Sequence, residues 1–240
     1  MNKAQITNFI QKYHLNGLIE TLKLESNNNV LSARFITATK DLVGEVVMNS
    51  SPFTKDDIYI YDTSRLLKLL SITDGDLNVS LEGGKFPTKL HISDGNHEIS
   101  YSLADMTLIP KVPNVKTSNV SFEFTLDKDL KSRIIKANSA VGDSDIIWIG
   151  TYTDVNDDKI QLSFGENGNH SNKISMFLTA KSITTKSSLI PFSSSQLKEI
   201  LNANKDDDAL VQIDKEGLMK ISFQNELITS TYFIIRKKVQ

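Results

Sequence analysis

The 240 residues contain no cysteine, which excludes a disulfide framework, a thiolate metal site and thiol redox chemistry. No apolar run approaches the roughly 18 residues that a membrane span requires, and no apolar signal core follows Met1-Asn2-Lys3-Ala4-Gln5. The expectation is a soluble, unexported protein. A large excess of either charge is also missing: the formal net charge is −2, so the overall balance names no nucleic-acid partner. Zinc-finger spacing, a helix-turn-helix pattern and an interleaved basic and aromatic platform are absent, which removes the usual base-reading devices.

Catalytic patterns are equally scarce, and no cofactor, metal or enzyme activity is expected. His14, His91, His97 and His170 lack metal-ligand spacing, although His91 and His97 could share a hairpin. Gly83-Gly84-Lys85 resembles part of a phosphate loop. Val79 stands where that loop needs its first glycine and Phe86 where it needs Ser or Thr, so a hairpin turn is the better reading. Asp154, Asp157 and Asp158, and Asp206 to Asp208, read as turn carboxylates without the EF-hand pattern. Trp148 sits in Ile146-Ile147-Trp148-Ile149, a packed strand rather than a sugar platform. No role falls to the loop around Asn167 to Asn172.

What the chain does have is an internal repeat. From Ile60 it runs through Thr63-Ser64, Leu66-Leu67-Lys68-Leu69-Leu70, an acidic turn at Asp74-Gly75-Asp76, and the alternating Leu77, Val79 and Leu81. From Ile190 the same order returns as Ser193-Ser194, Leu197-Lys198-Glu199-Ile200-Leu201, Asp206-Asp207-Asp208, then Val211 and Ile213. A second pair begins near Lys3 and Lys128. With 39% hydrophobic residues, the length suits one large domain or two smaller ones, and the repeat decides for two.

Each half shows two short helices among antiparallel strands. Ile6, Phe9, Ile10 and Tyr13 form the stripe of a helix over 3–14, with Lys3, Gln11 and Lys12 on its polar side. A meander is expected over 18–24, 30–39 and 42–48, then a helix over 63–71 and strands near 76–82, 88–92 and 97–103. Pro110 and Pro113 mark 105–119 as a connector between domains 1–104 and 120–240. After it come a strand at 121–125, a helix from Asp127, strands near 145–152, 159–165 and 172–180, and a helix over 194–204 whose Ser193 and Gln196 form a capping box.

Formal charge is +2 on 2–14, +2 on 63–71, +3 on 128–138 and +1 on 194–205, together +8, which leaves −10 for the rest of the chain. Cations concentrated on four equivalent helices suit phosphates read without sequence preference. Lysines on short surface helices are the plainer explanation.

Two segments carry a family resemblance: 58–70, beginning Ile58-Tyr59-Ile60-Tyr61, and 191–205, beginning Pro191-Phe192-Ser193. With the tandem order and the proline-containing connector, the chain resembles the DNA sliding clamps, the processivity factors of replicative polymerases, and is most similar to the tailed-phage type. The resemblance implies an α+β clamp fold of two similar domains, each with two short helices on antiparallel sheets, forming a homotrimeric ring around duplex DNA. It implies DNA-facing cations at Lys3, Lys12, Arg65, Lys68, Lys128, Lys131, Arg133, Lys136 and Lys198. Subunits would meet at Glu98, Ile99, Tyr101 and Leu103 against Ile174, Met176 and Leu178, residues that equally suit intrachain pairing. Partner peptides from the DNA polymerase and the clamp loader would dock at Met106, Leu108, Ile109, Pro110 and Ile235, unless these only cover the core, and the tailed-phage type implies late-transcription factors as further partners. No membrane is involved, and the expected place is the cytoplasm, the host's if the protein is phage-encoded. The alternative is a β-rich adhesion, carbohydrate-binding or virion structural protein with two duplicated domains.

Overall fold

A computed structural model describes residues 1–84, 86–142, 144–154, 157–165 and 172–239, except the side chains of Lys55, Asp154 and Asp157. Lys85, His170 and residues 167–171, named in the sequence reading, lie outside the described residues. The chain separates into two compact units, Met1–Pro113 with Asn225–Ser230, and Asn114–Gln224 with Thr231–Gln240.

The first unit opens with α1 (Lys3–His14), capped by the Asn2 side chain, and a 3-10 turn over Leu15–Gly17. There follow β1 (Leu22–Asn27), β2 (Val30–Ile36), β3 (Leu42–Met48), β4 (Lys55–Ile60), α2 (Thr63–Ser71), β5 (Asn78–Glu82), β6 (Lys89–Ser93) and β7 (Glu98–Ser102). The order β3-β2-β1-β4 makes one antiparallel sheet and β5-β6-β7 another. The expected first strand at 18–24 starts later, at Leu22. Leu15 and Asn16 take left-handed backbone conformations, and Glu20 turns back to accept the amide of Thr63, so residues 18–21 serve a corner.

The second unit holds β8 (Val120–Leu126), α3 (Lys128–Val141), β9 (Ile147–Asp154), β10 (Asp157–Phe164), β11 (Ile174–Thr179), β12 (Ser182–Ile183), β13 (Ile190–Phe192), α4 (Ser194–Ala203), β14 (Ala209–Asp214), β15 (Leu218–Gln224) and β16 (Ile228–Ile235). Its sheets run β12-β8-β14-β15-β16 and β11-β10-β9-β13. The opening residues of β16, Ile228–Ser230, belong to the first unit, where they lie beside β3.

The repeat is now explicit strand by strand. The order β13-β9-β10-β11 matches β4-β1-β2-β3, and β14-β15-β16 follow α4 as β5-β6-β7 follow α2. β8 pairs with β14, and the chain start does the same job with a single bridge, Asn2 to Asp76, beside the Leu77 amide bonded to Met1. Alternation along the strands sets what is buried: β1 buries Leu22, Leu24 and Ser26 and turns Lys23 and Glu25 outward. Phe9, Tyr13, Phe35, Leu66 and Leu70 fill one core, and Phe122, Phe124, Ile134, Phe192 and Ile200 fill the other. Full burial of each such side chain stabilises by about 1.5–3 kcal/mol.

Candidate nucleic-acid and partner interfaces

In each unit the two helices lie side by side, and their ends are held by matching devices. Asp62 caps α2, Asp127 caps α3 and Ser193 caps α4, the last being the forward half of the expected capping box. A second carboxylate braces the later helix of each unit. Glu20 accepts the Ser64 amide at 2.8 Å and the Ser64 hydroxyl at 2.5 Å, and Asp145 accepts the Ser195 amide at 2.7 Å. Each has a basic neighbour, His14 at 3.2 Å and Lys237 at 2.8 Å respectively.

Burial disfavours the charge on Glu20, but hydrogen bonds from the Ser64 hydroxyl and amide and from His14 outweigh it and hold the carboxyl below its ordinary range. Burial opposes the charge on Asp145 in the same way and is outweighed by Lys237 and the Ser195 amide and hydroxyl. His14, Glu20 and Ser64 are all within contact of one another, yet the same imidazole nitrogen, Nε2, meets both partners. A relay needs two different ring nitrogens, so the cluster is a brace for α2 and not a nucleophile triad.

The nine cations assigned to DNA divide sharply. Lys12 and Lys131 are each only 2% exposed, which corrects their assignment to a phosphate-facing surface. The Lys131 ammonium donates to the carbonyls of Asn204 at 2.8 Å, Lys205 at 2.9 Å and Asp207, closing the C-terminal end of α4. Lys3 donates to the carbonyls of Ser71 at 3.2 Å and Thr73 after α2, so its partly exposed ammonium also sits at a helix end. The repeat extends to surface pairs, with Lys3 near Asp74 at 3.9 Å and Lys128 near Asp206 at 3.3 Å. Arg65 and Lys68 on α2, and Arg133 and Lys136 on α3, are exposed, each pair one helical turn apart, and none has an ion-pair partner among the described residues. Lys198 on α4 is half-buried.

Helical spacing itself carried the signal that was missed. Lys12 stands three residues after Phe9, and Lys131 three before Ile134, so both fall on buried stripes.

Both strands assigned to subunit contact are sheet edges: among the described residues β7 pairs only with β6, and β11 only with β10. Ile99 and Tyr101 point into the first unit, where burial pushes the Tyr101 phenol up to about 12 and its hydroxyl binds the Asp62 carbonyl at 3.0 Å. These two side chains are interior, so only their backbone lies along the edge, whereas Glu98 is exposed and Leu103 half-buried. Ile174, Met176 and Leu178 are half-buried along the open edge of β11. Outside the sequence assignment, Phe177 is 49% exposed and meets the Tyr152 ring at 4.9 Å between centroids.

The connector begins with a 3-10 turn, Met106–Leu108, capped by Asp105, and Arg34 holds the Pro113 carbonyl at 3.3 Å. Met106, Ile109 and Pro110 border a hollow of about 400 Å³ against Lys23, Arg34 and Tyr59. Pro110 also borders a larger groove of about 840 Å³, with Leu18, Ile36, Ala38 and Pro113. Leu108 and Ile235 line neither, and both are exposed. The groove residues before β1 and after β2 were missed because they are distant in sequence from the connector.

Trp148 is half-buried with its indole nitrogen enclosed, not an exposed platform. Among the described residues no group of three or more His, Asp or Glu side chains is placed to hold a metal.

No protein-family description and no curated protein matches the chain. Solved structures do. A structure of A. fulgidus PCNA bound by the C-terminal region of FEN-1 has a TM-score of 0.80 at 14% identity, over 100% of this chain and 98% of that one. Proliferating cellular nuclear antigen from Entamoeba histolytica has 0.76 at 15%, over 99% and 96%. PCNA from Thermococcus kodakaraensis also has 0.76 at 15%, over 98% and 97%. Likeness over the full length at this identity establishes the fold: the chain has the two-domain PCNA-like sliding-clamp fold, four helices packed on antiparallel sheets.

Proposed function

We propose that the protein is a sliding clamp, a homotrimeric ring that encircles duplex DNA and tethers the replicative DNA polymerase. One observation carries the assembly. In the first unit the edge of β3 is covered by the start of β16, the third strand after α4. Among the described residues its repeat counterpart, β11, lies open, and so does β7, the counterpart of β16. Open edges invite pairing, and β7 of one copy laid on β11 of the next repeats the β16 contact between chains. Such a contact is head-to-tail and forms a closed ring when its rotation closes.

The DNA-facing set is Arg65, Lys68, Arg133 and Lys136, with Lys128 and Lys198 supporting. Cations that meet phosphates without reading bases permit sliding, and grip comes from topology. A. fulgidus PCNA holds the C-terminal region of FEN-1, and we extend that mode to this chain: peptides of the polymerase, the clamp loader and late-transcription factors dock beside the connector. The reading includes the tailed-phage type and action in the host cytoplasm. The adhesion or virion alternative is not favoured, because the fold likeness spans the full length.

The test is retention on DNA. The protein, loaded on a nicked circle, stays bound through gel filtration at moderate salt and is lost when the circle is cut once. Equal loss from circle and linear DNA removes the ring.

A further inference from the structure

In the second unit β14 is covered on its outer side by β8, whose Phe122, Phe124 and Leu126 enter the core. In the first unit the same place beside β5 holds a single bridge, Asn2 to Asp76. Asn78, Ser80 and Glu82 stand opposite Ser93, His91 and Lys89 of β6, while the Leu77 amide turns the other way, to the Met1 carbonyl at 2.7 Å. Hydrogen-bonding direction alternates along an antiparallel strand. The amides and carbonyls of Val79 and Leu81 therefore point away from β6, and among the described residues no strand meets them. Their side chains are half-buried, whereas Ala209, Val211 and Ile213 of β14 are buried. Val79 borders, with Met1, Pro52 and Phe53, an apolar hollow of about 30 Å³, too small for an aromatic ring. Proline, lysine and a bulge, common protections of an edge, are all missing from β5. Charge is one-sided as well: Asp74, Asp76 and Glu82 are exposed, and no lysine or arginine lies between 74 and 82. Lys89 and His91 meet Glu82 from β6.

We propose that the open edge of β5 takes an extended segment of a partner protein as an added strand, antiparallel as β8 is to β14, with valine-sized residues on its core side and lysine or arginine on its outer side. Strand addition draws affinity from backbone hydrogen bonds, here those of Val79 and Leu81, and specificity from alternate side chains. The small hollow keeps aromatic rings off the core side. The carboxylates of 74–82 favour cations on the outer side and repel a phosphate backbone. The ring reading uses β7 and β11, so the β5 edge is independent of it.

The probe is the fluorescein-labelled peptide Thr-Val-Lys-Val-Lys-Val-Thr, read by anisotropy on the full chain. N-methylation of its valine amides, which face β5, weakens binding by about tenfold, and N-methylation of its lysine amides, which point away, by less than about threefold. Glutamate in place of the lysines weakens it by about tenfold, and Asp76→Asn combined with Glu82→Gln removes that difference. Val79→Pro deletes an amide that β6 does not use and lowers affinity by about tenfold. Where the proline disturbs the strand, the two methylated peptides decide without altering the protein. Hydrogen exchange followed by NMR gives the place: with peptide bound, the Val79 and Leu81 amides slow by about tenfold or more. No binding, equal effects of the two methylations, equal binding of the lysine and glutamate peptides, or unchanged exchange at Val79 and Leu81 overturns the proposal. So does protection of these amides in the protein alone that is lost on dilution, because a second copy then fills the edge. The same samples are weighed by light scattering and tested for retention on circular DNA. A protein that assembles and is retained but takes no peptide on β5 loses only the added strand; one that takes the peptide but neither assembles nor is retained loses only the ring.

Discussion

Lys131 and Lys136 stand five residues apart on α3, and replacing each by methionine separates a structural lysine from a surface one. Lys131 is buried, donates to three carbonyls beyond α4 and sits 5.8 Å from the centre of the Phe223 ring. A hydrogen bond made by a charged group contributes about 1.5–3 kcal/mol net. The three share one ammonium and are not additive, and removing its desolvation cost returns part of the loss. Lys131→Met keeps the stem packed but leaves the carbonyls of Asn204, Lys205 and Asp207 without that donor. The expected loss is about 2–4 kcal/mol, and the unfolding midpoint drops by roughly 10 °C. Lys136, exposed and unpaired, changes stability by less than about 0.5 kcal/mol when replaced by methionine, while retention on DNA falls. Thermal unfolding followed by circular dichroism, run beside the retention assay, gives both numbers. Wild-type stability for Lys131→Met, or a large loss for Lys136→Met, refutes the division of the helix cations into buried caps and free surface charges. Lys131→Glu is a poor probe of DNA contact, since it buries a carboxylate against carbonyl oxygens.

Acid should loosen both units through Glu20 and Asp145. Both carboxyls are held below their ordinary values, 4.5 and 3.8, so their stabilisation is complete above those values and lost as pH falls through the lower folded ones. Glu20→Gln with Asp145→Asn makes stability at neutral pH lower and its decline below about pH 4 shallower, measured by urea unfolding at stepped pH; an unchanged slope counts against the braces. Leu178→Lys, on the open edge of β11, should shift the mass in light scattering from three times 26.8 kDa toward one chain without unfolding the monomer. An unaltered assembly would place the contact elsewhere. Arg65→Ala with Arg133→Ala should lower retention on circular DNA and flatten its dependence on salt. A salt dependence equal to that of the unaltered protein would exclude these arginines from the phosphate contact.

Gly44 shows how closely the first sheet is packed. A Cβ there would come within 2.2 Å of the Phe35 ring across the β2–β3 pair, so Gly44→Ala must displace a fully buried phenylalanine. Overpacking of this kind costs about 1–3 kcal/mol, readable as a lower urea midpoint for the first unit. No sequence period marks that glycine, because the ring that fills its place comes from the neighbouring strand.

Most of the architecture was readable before any coordinates. Two copies of helix, meander, helix, meander follow from hydrophobic period, capping residues and the order of turns, which are local properties of the chain. The same local reading mistook Lys12 and Lys131 for surface charges, although both already stood at stripe spacing from Phe9 and Ile134. For Lys131 and Lys3 the destination depends on carbonyls outside their own helices, more than 70 residues away for Lys131, as the Asn204 carbonyl illustrates. Likewise β7 and β11 were recognisable as strands, but being an edge is a property of the sheet: it depends on which neighbours do not arrive. The groove at Lys40 and Lys111 joins three separate stretches of chain and has no sequence signature. By itself, then, the sequence determined the repeat and the kinds of element, because those are set by neighbours along the chain. Only the tertiary structure decided which cations remain free, which edges remain open and where a groove forms, because these depend on groups that folding brings together from far apart.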